Sequence, residues 1–396
     1  MKRLFVLCSH FRTPHTIKQF GANFKNRKIK IIVFSILPLL NLQVFKNFYS
    51  KKNDININNK NFIYIKSYYE LLKILNNFNH HSYFYNGANL SLTSTLIEIF
   101  LINFKKFKKI KIIGEISPNP KNRFLEEFLY FYKRDKVFLI KKILSFCFYK
   151  SFKVFLNIIS FNKPSFIFLD NKKYFEIFKK KKYENIFKFN NENYSNYLRS
   201  AKQRKKKKYI VFLDQDLDHN FEFSLRKFKL SKFNSKIYWK KMDFFFSEIE
   251  KYFKYKYKII IASHHRRPMG DYPIHRRFIH NNTGNLVKDS ILVLGHHSLS
   301  INYAIFYRKP VLLLNTNIFN LHSFTRKNSI NLLKKKLGFK VMSLDNKIVF
   351  NKKILKEILS VDEKKYVAYF EKYLGFSFNK SKGEKWAVIS KVLTKN

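Results

Sequence analysis

Glycine is scarce in this sequence, and its scarcity excludes the common phosphate-binding loops. Nine glycines occur among 396 residues, and the two closest, Gly375 and Gly383, are eight positions apart. The dinucleotide fingerprint, the P-loop and the kinase glycine loop all need two glycines within about five positions. The sequence therefore predicts none of these three kinds of nucleotide site.

Cysteine and long apolar runs are also scarce. Cys8 and Cys147 are too few for a disulfide framework or a structural zinc site, so we expect a reducing, cytoplasmic environment. The longest largely apolar run, residues 31–45, contains Pro38 and is shorter than the roughly 18 residues that a membrane-spanning helix needs. The apolar stretch at the N-terminus is too short for a signal peptide. We expect neither secretion nor a transmembrane helix.

Acidic residues are few, and the balance is strongly positive. The chain has 79 Lys and Arg against 26 Asp and Glu, which gives a formal charge of +53. Because 46% of residues are hydrophobic and 18% aromatic, most of the chain can still bury a core. The charge has two interpretations, a compositional bias or attraction to a polyanion.

The polyanion that we favour is the anionic inner face of the cell membrane. Residues 141–156 alternate lysines with bulky apolar residues, a pattern that suits an interfacial helix and equally an ordinary core helix with solvated lysines. A basic RNA-binding protein is the alternative from a different class. No nucleic-acid motif occurs and the charge is diffuse, so we expect no specific nucleic-acid partner.

Short, largely apolar runs recur along the chain between helical patterns, at residues 4–7, 31–34, 62–65, 111–114, 165–169, 209–213, 258–262, 291–294 and 311–314. Continuous apolar strands separated by helices are typical of parallel sheets that are covered on both faces. The sequence therefore predicts an α/β fold. A polar stretch and a four-lysine run precede residue 209, so we place a boundary between two doubly wound domains, 1–204 and 205–396, that face a cleft.

The turn after the run 209–213 carries alternating carboxylates, Asp214, Asp216 and Asp218, followed by His219. This pattern invites a metal-binding interpretation. It fails as an EF-hand loop, because His219 occupies the place of the required glycine and the closing Glu is missing. Turn and helix-cap chemistry is the interpretation that we favour.

The run 258–262 is followed by two histidines and two arginines, His264, His265, Arg266 and Arg267. Ligands of open α/β sheets bind beyond the carboxyl ends of the strands, and a planar guanidinium suits phosphate. A zinc site would lack a third ligand. The alternatives are a phosphate contact and a solvated basic turn.

The run 291–294 leads through Gly295, His296 and His297 into Ser298 and Ser300, where a helix is predicted to begin. A serine there can cap the helix, and the free amides of the first turn can bind an anion. Both a plain cap and a cap with a phosphate site fit the pattern.

These motifs together resemble the C-terminal half of GT-B glycosyltransferases of bacterial surface polysaccharides. The matching segments run from residue 209 to 314, and they are most similar to the sialyltransferase-like and polysialyltransferase-like group, which uses CMP-activated sugars. His264 matches the histidine of that group's His-Pro pair, although His265 stands where proline is usual. Ser298 and Ser300 match its hydroxyl pair, with Leu299 between them.

The resemblance implies a GT-B fold of two Rossmann-like domains, with the acceptor on 1–204 and the nucleotide sugar on 205–396, whose end forms C-terminal helices. It implies transfer of a sugar, with a nonulosonic acid as one candidate, from a CMP-linked donor to a cell-surface glycan or lipid-linked acceptor at the inner face of the membrane. The donor is a co-substrate, and neither a cofactor nor a metal is expected. The same scaffold also fits a nucleotide-diphosphate-sugar or glycerophosphate transferase.

The residues expected to bind the donor are His264, Arg266, His296, Ser298 and Ser300, and His264 also belongs to the expected catalytic residues. For the base we predict Glu115, which follows the apolar run 111–114, because a carboxylate there can deprotonate an acceptor hydroxyl. A turn carboxylate paired with a lysine is the alternative. His10 and His15 are weaker candidates.

Overall fold

The computed structural model of the protein describes residues 2–10, 14–24, 28–40, 42, 45–46, 60–76, 82–88, 92–103, 107–114, 140, 143–144, 147, 151, 163–200, 209–217, 234–264, 267, 269–317, 324–346, 349–377 and 382–396. Most of the segment 141–156, with its predicted interfacial helix, and the four-lysine run 205–208 therefore lie outside the described residues.

The first sheet has seven parallel strands in the order β3-β2-β1-β4-β5-β6-β7. Their bounds are β1 Lys2–Cys8, β2 Ile29–Ser35, β3 Phe62–Tyr64, β4 Ser82–Asn86, β5 Lys108–Ile113, β6 Phe166–Leu169 and β7 Ile186–Lys188. The strand order turns back between β1 and β4, which is the arrangement of a doubly wound sheet.

The helices of this half are α1 Pro14–Gln19, α2 Leu37–Leu40, α3 Tyr68–Asn76, α4 Leu92–Asn103, α5 Lys172–Lys180 and α6 Glu192–Ser200. Successive residues of a strand point to opposite faces of the sheet, and both faces of this sheet are buried. Leu4 and Val6 pack in one apolar cluster, whereas Phe5 and Leu7 pack in another with Leu71 of α3.

The second sheet has six parallel strands in the order β10-β9-β8-β11-β12-β13. Their bounds are β8 Ile210–Leu213, β9 Ile259–Ala262, β10 Arg277–Ile279, β11 Leu292–Gly295, β12 Val311–Asn315 and β13 Lys340–Ser343. This sheet is also doubly wound, and its strand order turns back between β8 and β11. The two parallel sheets confirm the predicted α/β fold.

The helices of the second half are α7 Ser235–Tyr252, α8 Thr283–Asp289, α9 Ile301–Phe306, α10 Phe324–Leu337, α11 Lys352–Ile358, α12 Glu363–Tyr369, a π-helical turn Phe370–Leu374, and α13 Lys385–Lys395. The helix α7 begins at a cap, since the side chain of Asn234 accepts the Ile237 N–H at 3.0 Å. It buries an apolar stripe that includes Trp239, Met242 and Phe246 against the sheet.

The last helix, α13, packs on the first sheet rather than on the second. Ile389 and Leu393 belong to the same apolar cluster as Leu4 and Val6, and the Lys2 Nζ donates to the Leu393 carbonyl at 3.2 Å. The end of the chain therefore stabilises the half that contains its beginning. The boundary between residues 204 and 205 stays a prediction.

Within the described part of the chain, no helix is both long and apolar enough to cross a membrane.

Candidate functional site

Four polar residues follow four adjacent strands of the second sheet and form one row across its carboxyl end. The last paired residues are Gly295 with Leu213, Leu213 with Ala262, and Ala262 with Ile279. The next residue of each strand therefore continues the row, and we call this set the polar row: His296, Asp214, Ser263 and His280. Because side chains of paired residues in a parallel sheet point to the same face, all four lie on one face.

A buried ion pair occupies the middle of the polar row. Arg267 donates through Nε to Asp214 Oδ2 at 2.7 Å and through Nη2 to Asp214 Oδ1 at 3.2 Å. The guanidinium lies over the rings of Trp239 and Phe278, at 5.3 and 5.9 Å from their centroids. Arg267 Nη2 also lies 3.6 Å from Asp216 Oδ1, so two buried carboxylates share one guanidinium where solvent is excluded. None of the three groups is available as a surface charge.

The same carboxylate also holds two turns. Asp214 accepts the Asp216 N–H at 2.9 Å and the His264 N–H at 3.3 Å, and the His264 carbonyl accepts the Arg267 N–H at 3.0 Å. This places the turn after β8 against the turn after β9. The predicted turn chemistry of Asp214 and Asp216 fits these bonds, whereas Asp218 and His219 lie outside the described residues.

His264 is partly buried at the carboxyl end of β9, at the position where the sequence predicts a phosphate contact. Its backbone is fixed on both sides by the Asp214–Arg267 pair. Arg266, the other predicted donor ligand of this turn, lies outside the described residues, so its part in the site stays a prediction.

His296, which the sequence predicts as a donor contact, is placed in the core. Its ring is fully buried, with Nδ1 at 2.6 Å from the Leu314 carbonyl and Nε2 at 2.7 Å from the Tyr238 hydroxyl. A carbonyl oxygen only accepts, so Nδ1 carries the proton, and in the neutral ring Nε2 would accept the tyrosine O–H. Both ring nitrogens are engaged, and His296 therefore links β11 to β12 and α7.

The serine pair after β11 forms a turn rather than the expected side-chain cap. Ser298 Oγ accepts the Ser300 N–H at 3.2 Å, and the Ser298 carbonyl accepts the Ile301 N–H at 3.2 Å. Ser300 stands at the cap position of α9, but its backbone is helical and its side chain makes no cap hydrogen bond. Both serines are partly exposed, so their hydroxyls lie at the surface of the sheet's carboxyl end.

A glutamine that the sequence did not single out crosses between the two central strands. Gln215 Nε2 donates to the His297 carbonyl, which ties the turn after β8 to the turn after β11. Asp216, one residue later, has a φ of +50° in the left-handed region. The turns after β8 and β11 lie on either side of the crevice where the strand order turns back, which is the usual ligand position in open α/β sheets. No sequence pattern pairs two turns 82 positions apart.

The first sheet has its own polar group at its carboxyl end. Asp170, which follows β6, is buried and accepts from the side-chain amides of Asn171 at 2.8 Å and Asn191 at 3.2 Å. Gly114 ends the described part of the chain after β5, and a Cβ added there would lie 3.7 Å from Asp170 Oδ2. Glu115 lies outside the described residues, so its role as the base stays a prediction.

The two weaker candidates for the base lie near the end of β1. The His10 ring contacts Phe20 edge to face at 5.6 Å, and the His10 carbonyl accepts the Ser35 hydroxyl at 2.7 Å. His15 lies in α1, but its side chain is outside the described residues.

A lysine at the start of α13 lies near the same edge of the first sheet. Lys385 Nζ donates to the Gln19 carbonyl at 2.6 Å. Burial lowers the pKa of Lys385 to about 8, although the nearby carboxylates of Glu192 and Asp170 raise it. This amine therefore loses its proton at a lower pH than an ordinary lysine.

The two halves meet through α6. Its residue Asn193 accepts, through Oδ1, a hydrogen bond of 2.8 Å from the hydroxyl of Tyr303 on α9. The helix α6, which follows the first sheet, thus contacts α9, which follows the Ser298–Ser300 turn. This contact places α6 at the edge of the candidate site.

No protein-family model and no curated protein matches this sequence. Among solved structures, the UDP-GlcNAc 2-epimerase from Neisseria meningitidis, bound to UDP-GlcNAc, is similar over 100% of both chains, with 13% identity and a TM-score of 0.46. The wall teichoic acid polymerase TagF shares 11% identity over 100% of this chain and 88% of its own, with a TM-score of 0.45. The calicheamicin glycosyltransferase CalG4 shares 8% identity over 92% of each chain, with a TM-score of 0.44. At such identities the activity has to be argued from the residues of this chain.

Proposed function

We propose that the chain is a GT-B glycosyltransferase that moves a sugar from a nucleotide-activated donor to a cell-surface glycan or lipid-linked acceptor. The observation that supports this most is the convergence of His264 and the Ser298–Ser300 turn at the carboxyl end of the second sheet. Their strands, β9 and β11, are the two neighbours of β8. With strands about 4.8 Å apart, the two turns flank one crevice roughly 10 Å across.

The residues around this crevice suit the departure of a nucleotide. In the transfer, the acceptor oxygen bonds to the anomeric carbon while the bond from that carbon to the phosphate oxygen breaks. The phosphate gains negative charge as it leaves. His264 and Arg266, with the hydroxyls of Ser298 and Ser300, would stabilise that charge, and such preorganised stabilisation is usually the largest contribution to catalysis.

The acceptor must lose a proton in the same reaction. We assign this role to Glu115, which follows Gly114 at the carboxyl end of the first sheet. In this proposal residues 1–204 bind the acceptor and residues 205–396 bind the donor. The chemistry needs no metal ion, because the arginine would neutralise charge on the leaving phosphate, and the histidine and the serine hydroxyls would donate hydrogen bonds to it.

We further propose that the donor is CMP-linked and that the acceptor lies at the inner face of the cell membrane. The first proposal is supported by the His264 and Ser298–Ser300 motifs, and the second by the charge of +53, which attracts the chain to anionic lipid. The alternative on the same scaffold is a transferase that uses a nucleotide-diphosphate sugar or an activated glycerophosphate.

A thermal-shift screen against CMP, UDP, GDP and their sugars tests this proposal. A ligand that binds only the folded chain raises the melting temperature, because it stabilises that state by about 2.7 kcal/mol at a concentration a hundredfold above its Kd. We expect a stabilisation by CMP or a CMP-sugar that exceeds that of equal inorganic phosphate. No stabilisation by any nucleotide, together with steeply salt-dependent RNA binding, would instead support the RNA-binding alternative.

A further inference from the structure

Two members of the polar row have side-chain atoms without a hydrogen-bond partner in the described part of the chain. They are Ser263 Oγ and His280 Nε2, and both atoms are buried. Ser263 is 3% exposed. The other two members, Asp214 and His296, are fully engaged by protein groups. Buried polar atoms are nearly always paired in native structures, so an unpaired set at a ligand-binding edge indicates a missing partner.

These two unpaired atoms belong to neighbouring residues. The Ser263 N–H donates to the Ile279 carbonyl at 3.0 Å, which continues the ladder from the Ala262–Ile279 pair. Ser263 and His280 thus stand side by side on strands about 4.8 Å apart and on the same face, yet their polar atoms do not bond to each other. A third group that reaches between them can bond to both.

The chemistry of the two atoms limits what this third group is. A hydroxyl both donates and accepts, and a neutral imidazole nitrogen does one or the other. The Arg267 guanidinium, which is buried at the same end of the sheet, is already paired with Asp214 and Asp216. The pair therefore suits an uncharged edge that carries a donor beside an acceptor.

The surroundings of the pair are flat and aromatic. Tyr272 stacks on Phe278 with ring centroids 4.7 Å apart and 19° between the planes, and it lies 6.1 Å from the His280 ring. Tyr272 is 42% exposed. Aromatic rings of this kind stack on planar ligands, and every nucleobase combines a flat face with a donor and acceptor edge.

We propose that Ser263, His280 and Tyr272 form the site for the base of the bound nucleotide, with the base edge on Ser263 and His280 and its face against Tyr272. This inference rests on the proposed function, since it takes the phosphate to lie in the crevice between β8 and β11. From there the base extends over β9 towards β10. Since both polar atoms are closed to solvent, the ligand reaches them through rotation of the partly exposed His280 and Tyr272 side chains.

The test compares nucleotides with a probe that lacks the base. CMP, UMP, GMP, AMP and ribose 5-phosphate are titrated into the full chain, the Ser263→Ala variant and the His280→Phe variant, which keeps a flat ring without the nitrogens. We expect each variant to bind the preferred nucleotide about 3- to 10-fold more weakly, the size of one lost neutral hydrogen bond. Binding of ribose 5-phosphate should not change.

Ser290→Ala is the matched control, because Ser290 is another buried serine but its hydroxyl donates to the Val287 carbonyl at 2.9 Å. We expect this control to lower the melting temperature and leave nucleotide affinity unchanged. Ser263→Ala should leave the melting temperature equal or raise it, because it removes an unpaired polar atom.

Two results would overturn the proposal, and they differ in what else they overturn. If the full chain binds nucleotides and both variants bind them equally well, the base site is wrong and the proposed function stands. If the full chain binds none of the four nucleotides, the proposed function fails and the base site fails with it.

Discussion

The buried ion pair between Arg267 and Asp214 gives the sharpest stability prediction. Both side chains are almost completely buried, at 0% and 3% exposure, and two charge-assisted hydrogen bonds join them. Replacing Arg267→Met keeps a long apolar side chain over Trp239 and Phe278 but removes the positive charge. The Asp214 and Asp216 carboxylates are then left buried without their shared partner.

The expected loss follows from that burial. Removing one partner of a buried pair costs about 3–5 kcal/mol, because an uncompensated charge stays away from water. For a unit of 150–250 residues, each kcal/mol shifts the melting temperature by about 2–4 °C. We therefore expect Arg267→Met to melt about 6–20 °C lower. The double variant Arg267→Met with Asp214→Asn should recover part of this loss, since only the Asp216 carboxylate is then left buried without a counter-charge.

Urea denaturation followed by circular dichroism measures the loss. The control is Lys340→Met, which breaks an exposed pair with Glu357 at 2.8 Å and should have a much smaller effect, because solvent screens that pair. If Arg267→Met unfolds at the same urea concentration as Lys340→Met, the buried ion pair does not stabilise the site.

The remaining predictions concern the Ser298–Ser300 turn, the proposed general base Glu115 and the buried lysine Lys385. Ser298→Ala combined with Ser300→Ala should weaken nucleotide binding, and the loss in binding free energy should exceed the loss in unfolding free energy, which we expect to be about 1 kcal/mol. A lower melting temperature with unchanged nucleotide affinity would show that these serines only form a structural turn. Glu115→Gln should lower turnover about 10²- to 10⁴-fold at constant donor affinity, and unchanged turnover in a donor-release assay would exclude Glu115 as the base. Because burial lowers the folded-state pKa of Lys385 to about 8 from an ordinary 10.5, its contribution to stability should rise with pH between about 8 and 10.5. The stability of Lys385→Met relative to the native chain should accordingly fall over that range in urea titrations, and a pH-independent difference would contradict this.

The sequence predicted the strands whose residues are apolar throughout. The runs at 31–34, 209–213 and 311–314 all lie in central or inner strands that are buried on both faces, where the pattern is clearest. Such strands can be recognised from their own residues, without knowledge of the strands with which they pair.

The four strands that were not predicted are short or mixed in composition: β4 Ser82–Asn86, β7 Ile186–Lys188, β10 Arg277–Ile279 and β13 Lys340–Ser343. Three of them are the edge strands β7, β10 and β13, which are paired on one side only and carry charged residues. The central strand β4 mixes serine, asparagine and tyrosine with a single phenylalanine. Its place in the sheet is decided by pairing with β1 and β5 rather than by its own pattern.

The site shows a similar limit. The sequence placed His264 and His296 together as donor ligands because both follow a buried strand. It could not show that His296 meets Tyr238, from a helix 58 positions earlier, or that Asp214 meets Arg267, 53 positions later. These long-range contacts decide which strand-end residues are structural, and they also leave Ser263 and His280 as the unpaired members of the polar row.

The most direct test of the proposed nucleotide site is a calorimetric titration of the full chain with CMP, compared with the His264→Ala variant at the same ionic strength. We expect one nucleotide to bind per chain and the affinity to fall about 10-fold or more in the variant, which is the size of a hydrogen bond to a charged phosphate. The variant should keep its melting temperature, since His264 lies at a strand end outside the core. Equal affinity in the two proteins, or no binding to the native chain, would contradict a nucleotide site at the carboxyl end of the second sheet.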